Sequence, residues 1–483
     1  LMNYGIIIRV SGSLLLIESA AMLLPLLISL YYKQNDALSF FITILVTGIL
    51  GALMVKLPRK NNTIKIREGL VIVTIGWFIM CLFGSLPFLI SGSVKSFPDA
   101  FFEVVSGFTT TGATVIDNIE AIPKGILFWR SLTHWMGGMG ILVFTIAIVP
   151  ALGIGSFQIF KAESPGPAIG RFVPKIKDMA KILYGIYLII TVVEIILLSF
   201  SEMSLFEAVV YSFGTVGTGG FSTRGGSVGA YNSTYVNIVI GVFMVLSGIN
   251  FNLYYLIYKR KFKDIIRDQE LRFYLGIVTA STILISIDLY RNFYKDIGKS
   301  VMQSFFQVSS IITTTGYATY DFDKWSTFSK AILFLLMFVG GCAGSTTGSV
   351  KSIRILVLLK NIKREITKIF HPKAVVPIKV NQKSLPQDTV NGITAFFILY
   401  MLVFAIGTLL ISLEGINLIS AASAVAATLG NIGIGFDFVG PVHTFSRFSA
   451  QSKLLFSFLM IMGRLELFTV IALFSRKFWK DEI

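Results

Sequence analysis

The chain has 483 residues, of which 54% are hydrophobic and only 14% charged, and its mean hydropathy is +0.76; a soluble domain carries about 25% charged residues, so water is not the main solvent here. A formal net charge of +16 would suit nucleic acid, but no stacking aromatics interleave the basic runs as single-strand binders require, and the charge reads as a topology signal instead. The two cysteines, Cys81 and Cys342, offer neither a disulfide framework nor metal spacing and read as packing residues.

The first apolar segment, residues 7–31, contains Arg9 and Glu18 and lacks a small-residue cleavage pattern, so a first membrane span is expected rather than a removable signal peptide. A second span follows at 37–55. Further charge-free stretches cover 69–94, 131–160, 225–258, 331–350 and 389–413. Most are long enough to cross roughly 30 Å of hydrocarbon as helices. Lys and Arg concentrate in alternate connections, 56–67, 161–181, 259–272 and 351–383, with Arg476, Lys477 and Lys480 at the tail. The positive-inside rule assigns these to the cytoplasm.

Between the long stretches lie short apolar segments that repeat. Residues 100–106 (AFFEVVS) lead to Thr109-Thr110-Thr111-Gly112, and residues 304–310 (SFFQVSS) lead to Thr313-Thr314-Thr315-Gly316, with the same twelve-residue offset from first residue to glycine. Applied elsewhere, that offset pairs residues 207–213 with Thr218-Gly219, and 421–427 with Asn431-Ile432-Gly433. Each short helix starts near a turn-favouring residue, such as Pro98-Asp99 or Ser204, and lasts about three turns, too few to cross a bilayer. A re-entrant hairpin is the economical reading, because non-helical backbone at membrane depth is tolerated only where protein buries it or a watery cavity receives it.

The expected architecture is therefore an all-α polytopic membrane protein: two extra N-terminal spans (1–66), then four helix, pore-loop, helix repeats at 67–160, 161–265, 266–370 and 371–483 around one pore, about ten spans with four re-entrant helices. Every repeat has the same orientation, both termini are cytoplasmic and all four loops open outward.

Such a pore suits a cation, which loses its hydration shell on entering hydrocarbon and needs oxygen ligands in return; rings of backbone carbonyls supply them. Gly112, Gly219, Gly316 and Gly433 let the chain aim those carbonyls. Thr110, Thr111, Thr218, Thr314, Thr315, Asn431 and Ile432 complete the expected selectivity filter. Helix C-termini aimed at the axis would add partial negative charge. In the second span of the third unit, Gly340, Gly341, Gly344, Ser345, Thr346, Thr347 and Gly348 crowd together; their irregular spacing favours an unwound segment over a small-residue packing stripe. Arg464 lies inside the last apolar span, where a buried charge is costly and faces a cavity or partner, and a pair with Glu466 two residues away on a helix is disfavoured. His134, in a charge-free span beside Trp135, reads as structural.

These loops, together with Arg130-Ser-Leu-Thr-His-Trp-Met-Gly-Gly-Met-Gly140, residues 340–348 (GGCAGSTTG) and residues 463–468 (GRLELF), resemble the Trk/Ktr/HKT superfamily of potassium transporters over nearly the whole chain. The two leading spans resemble its TrkH branch more than the shorter Ktr branch. The resemblance implies potassium as the transported ion, residues 340–349 as an intramembrane gate under the filter, and Arg464 as a positive charge limiting permeation below it. In plant relatives a serine at the first filter position goes with sodium selectivity, and Gly112 resembles the potassium-selective pattern. It also implies a homodimer in the bacterial cytoplasmic membrane and a cytosolic nucleotide-binding regulatory subunit of the TrkA type. The chain has no P-loop, dinucleotide fingerprint or nucleophile elbow, so no enzymatic activity and no cofactor are expected. The competing expectation is a secondary transporter coupling potassium to sodium or protons, for which Glu18 and Glu194 are the available buried acids.

Overall fold

The computed structural model describes residues 2–56, 66–140 and 176–479. Most of the 56–67 and 161–181 basic runs, the distal part of the 131–160 stretch and the expected boundary between the first two repeats lie outside them.

The chain is a helical polytopic membrane protein. Among the described residues six helical stretches are long and apolar enough to cross a bilayer: Tyr4–Tyr31, Ala37–Lys56, Arg67–Ile90, Ala180–Ser199, Gln269–Tyr294 and Gln387–Glu414. A seventh arises if Thr234–Ser247 and Phe251–Tyr258 count together, although they bend by 92°. The sequence leads one to expect about ten. Length alone does not reach that number, because the helix Thr327–Leu336 stops after ten residues and Ala450–Leu465 ends at Glu466, whose φ is 66°. Outward-facing leucines and isoleucines, among them Leu27, Leu30, Leu38, Ile49 and Leu53, give the surface an apolar belt suited to lipid.

Four short helices form the inner layer: Phe97–Phe108, Leu205–Val216, Ile297–Ile312 and Leu418–Leu429. Each starts at a side chain that accepts a hydrogen bond from an otherwise orphaned backbone N–H. Ser96, Ser204, Asp296 and Asn417 do this, and Ser204 forms a reciprocal capping box with Glu207. All four helices end alike. Thr110, Thr218, Thr314 and Asn431 donate backbone N–H groups to the carbonyls three residues earlier, and Thr111, Gly219, Thr315 and Ile432 donate to carbonyls five residues earlier, at 2.7 to 2.9 Å. That is the Schellman ending, which needs a left-handed residue just past the helix. The φ angles are 54° at Thr110, 55° at Thr218, 55° at Thr314 and 55° at Asn431. A side chain in that region costs roughly 1–2 kcal/mol, so glycine would be the cheaper residue at all four positions.

Buried apolar residues of the first and fourth units share one core cluster, parts of the third and fourth a second, and parts of the second and third another. Val210 of the second unit also belongs to the first of these clusters, with Phe128 and Leu132 of the first unit, so the order of packing is cyclic.

Candidate functional site: four tails and the segment beneath them

Two residues beyond each left-handed residue the chain turns again, at Gly112, Gly220, Gly316 and Gly433, with φ of 80°, 81°, 78° and 86°. Here glycine is required twice over. A Cβ at Gly112 would strike the carbonyl oxygen of Gly219, one at Gly220 that of Thr315, one at Gly316 that of Ile432, and one at Gly433 that of Thr111. The four contacts close a cycle through all four units, packing glycine Cα atoms against carbonyl oxygens where no side chain fits.

This cycle corrects the repeat register of the second unit. Sequence spacing matches Gly219 to Gly112, Gly316 and Gly433, but the turn geometry matches Gly220 to them and places Gly219 level with Thr111, Thr315 and Ile432. The slip arises from beginning the second repeat at Glu207; starting at Ala208 restores the twelve-residue offset to Gly220. The tails are therefore Thr110-Thr111-Gly112, Thr218-Gly219-Gly220, Thr314-Thr315-Gly316 and Asn431-Ile432-Gly433.

Three of the four left-handed residues have side chains that bond other parts of the chain, and the fourth, Thr218, donates from Oγ1 to the adjacent Gly217 O at 2.7 Å. Thr110 Oγ1 accepts from Arg464, Thr314 Oγ1 accepts from Gly348 N at 2.8 Å, and Asn431 Nδ2 donates to Thr111 Oγ1 at 3.0 Å and to Met460 O at 3.0 Å. Behind the first tail stands an ion pair with almost no exposure. Glu103 accepts from Arg130 Nε at 2.7 Å, from Thr114 Oγ1 at 2.9 Å and from Val115 N at 3.0 Å, and Arg130 donates on to Ser222 O at 3.3 Å beyond the second tail. With every oxygen engaged, the charge is tolerable in this setting.

Below the tails, helix Thr327–Leu336 gives way to an irregular segment, residues 337–351, before Ser352–Phe370 resumes. Its glycines Gly340 and Gly344 both have φ of 75°. Each of the sequence-predicted residues has a defined place. Gly341 O accepts from Ser352 N at 2.9 Å, and Gly344 O from Phe251 N at 3.0 Å, where the 92° bend lies. Ser345 and Thr347 share a hydroxyl contact of 2.8 Å, Thr346 Oγ1 donates to Val216 O at 3.1 Å, and Gly348 packs so closely on Gly430 O that no Cβ would fit. The segment thereby touches the second, third and fourth units.

Arg464 joins it to the first. The guanidinium donates to Thr110 Oγ1 at 3.1 Å, Thr346 O at 2.8 Å, Gly137 O at 2.5 Å and Gly138 O at 3.0 Å. Glu466 pairs instead with Arg354, near the start of the helix that follows the segment. Lys351 is a site residue that sequence reasoning misses, because it heads a basic run assigned to the cytoplasm. It is 2% exposed, has φ of 69°, and donates from Nζ to Thr347 O at 2.6 Å and Ser345 O at 3.2 Å. A lone lysine at the seam between an apolar and a basic stretch is the available signal.

At the opposite end of the tails, acids tie neighbouring units. Glu120 accepts from Gly225 N at 2.7 Å, Asp323 from Asp437 N at 2.9 Å, and Asp117 from Ser446 Oγ at 2.8 Å. Hydrogen bonds from Asn417 and Ser420 hold the Asp437 carboxyl below the usual carboxylate range. The expected alternative acids are fully buried outside the tails, Glu18 beside Cys81 and Gly84, and Glu194 beside Thr215 at the end of the second short helix.

Non-helical backbone converging from four units inside an apolar helical shell defines a membrane transport protein. Residues 33–482 match the family model of TrkH, cation transport protein. The chain is 37% identical to the Trk system potassium uptake protein TrkH of Escherichia coli K12, covering 99% of this chain and 100% of that one, and 39% identical to TrkH of Vibrio parahaemolyticus, again over 99% and 100%. Its fold superposes on the crystal structure of the potassium transporter TrkH from Vibrio parahaemolyticus with a TM-score of 0.89 over 99% of this chain, at 37% identity. The chain belongs to the TrkH family.

Proposed function

We propose that this chain takes up potassium across the bacterial cytoplasmic membrane through a gated, channel-like pore. Membership in the TrkH family and the names of its relatives support potassium transport rather than an enzymatic role. The finer mechanism rests on one observation above all: the cycle in which each positive-φ glycine packs against the carbonyl oxygen of the next tail. Carbonyl oxygens held by rigid turns around a common centre are what a dehydrated cation needs. Thr110 to Gly112, Thr218 to Gly220, Thr314 to Gly316 and Asn431 to Gly433 form the filter.

Residues 337–351 are the gate, held across the path beneath the filter by Arg464 and Lys351. Both cations are engaged by backbone oxygens, so they oppose a passing cation in two ways: they occupy oxygens it would use, and they repel it where screening is weak. The loops open outward, both termini face the cytoplasm, and the chain works as a homodimer with potassium its only transported ligand and no resident cofactor. Its relatives' names place them in a Trk system, which supports a further subunit, of the cytosolic nucleotide-binding TrkA type, acting on the gate.

Gly112→Ser tests the filter. The substitution strains a residue at φ of 80° and pushes a side chain onto Gly219 O. Potassium uptake into vesicles, with sodium as competitor, should show reduced preference for potassium; parental preference in the folded variant would refute the filter.

A further inference from the structure

His134 lies on the helix Lys124–Gly138 of the first unit, yet its ring belongs to the second tail. Nδ1 is 2.8 Å from Gly107 O, at the end of the first short helix, and Nε2 accepts from Phe221 N at 3.2 Å, immediately after Gly220. A carbonyl oxygen only accepts and a backbone N–H only donates, so these two bonds together fix a neutral imidazole with its proton on Nδ1. The ring is fully buried and stacks on Phe221 with centroids 4.1 Å apart.

Its other neighbour explains an oddity of the repeat. Gly219 stands where the other tails carry Thr111, Thr315 and Ile432, and its φ lies outside the left-handed region, so its backbone conformation does not require glycine. A Cβ there would collide with Cγ, Nδ1 and Cδ2 of the imidazole ring. In the first and third units the space behind the tail is filled from within, by the hydroxyl pairs Thr109 with Thr111 and Thr313 with Thr315, each at 2.8 Å. The second unit has no such pair: Gly217 replaces the outer threonine, and a Cβ there would crowd His134 O and Phe213 O, each 2.7 Å away. The imidazole of the first unit takes the place of the inner side chain, and backbone carbonyls, that of His134 among them, close off the outer one.

We propose that His134 is the positioning residue of the second quarter of the filter. Within the filter proposed above, on which this role rests, the Nε2 acceptor holds Phe221 N–H, and the ring wall behind Gly219 sets the direction of the Gly219 and Gly220 carbonyls. The role is distinct from packing, since it depends on an acceptor at one ring position.

Two variants separate the ring's functions. In His134→Asn the side-chain amide can still donate to Gly107 O but has nothing at the Nε2 position; in His134→Gln an amide oxygen reaches that position and can accept from Phe221 N. Competition flux into vesicles should show His134→Asn losing potassium preference over sodium by roughly tenfold, the scale of one lost buried hydrogen bond, with His134→Gln retaining most of it. Equal preference in the two variants, whether both high or both low, would overturn the positioning role. Gly112→Ser serves as control. If it lowers preference while His134→Asn matches the parent, the role of His134 fails and the filter stands; if neither changes preference, the filter fails and takes the role of His134 with it. Should the His134 variants not fold, Gly219→Ala is compared in the parental and His134→Ala backgrounds by yield of folded protein. Alanine at 219 should be far more damaging with the imidazole present than without it, and equal damage in both backgrounds would overturn the contact.

Discussion

The four tails and the 337–351 segment are both irregular backbone in the middle of an apolar protein, but they are held in opposite ways. The tails repeat one turn four times, each closed by bonds to its own helix three and five residues back, so their shape is local. The segment occurs once, and its bonds reach far along the chain: Arg464 grips Thr346, Thr314 receives Gly348, and Glu270 receives Ala343 N at 2.6 Å. Each such bond contributes about 0.5–1.5 kcal/mol net, so the set can be exchanged without undoing the fold. Local closure suits the proposed filter, which must not change, and borrowed closure suits the proposed gate, which must.

The contrast breaks most visibly at the ion pair behind the tails. Glu103→Ala leaves Arg130 as an uncompensated buried charge, which costs about 3–5 kcal/mol when one partner of such a pair is removed. A large fall in the thermal unfolding midpoint of the detergent-solubilised protein is expected, and a small one would mean that the tails do not depend on the pair. The gate side should respond differently. Arg464→Ala and Lys351→Met each release carbonyls of the segment, so rubidium or potassium uptake at matched protein levels should rise several-fold, on the scale of one or two lost hydrogen bonds, with selectivity kept. If both variants fold and lose flux, the segment is scaffold and the gate lies elsewhere.

Much of this division is legible in the residues. Repeated local closure needs repeated local sequence, which is why AFFEVVS and SFFQVSS, each followed by Thr-Thr-Thr-Gly, announce their turns, and why a run of glycines and hydroxyls announces a break in the third unit. The second unit misaligns by one residue because its tail has lost the threonine pair and keeps three candidate glycines, Gly217, Gly219 and Gly220, and only backbone φ tells them apart. Partners distant along the chain are out of reach. Glu103 with Arg130, Arg354 with Glu466, and His134 with Phe221 are 27, 112 and 87 residues apart, and nothing local to either member signals the other. Lys351 is hidden by its neighbours: at the head of a basic run, a buried lysine looks like the first of the exposed ones.

The most direct test is potassium uptake under sodium competition by Gly220→Ser, at the position that the turn geometry, and not the sequence spacing, equates with Gly112. A serine there must hold φ of 81° and press on Thr315 O. If the four tails form one carbonyl filter, the variant should lose potassium preference by roughly the five- to thirtyfold that about 1–2 kcal/mol of left-handed strain implies, as is expected of Gly112→Ser. A folded Gly220→Ser protein with parental preference would contradict a four-part filter.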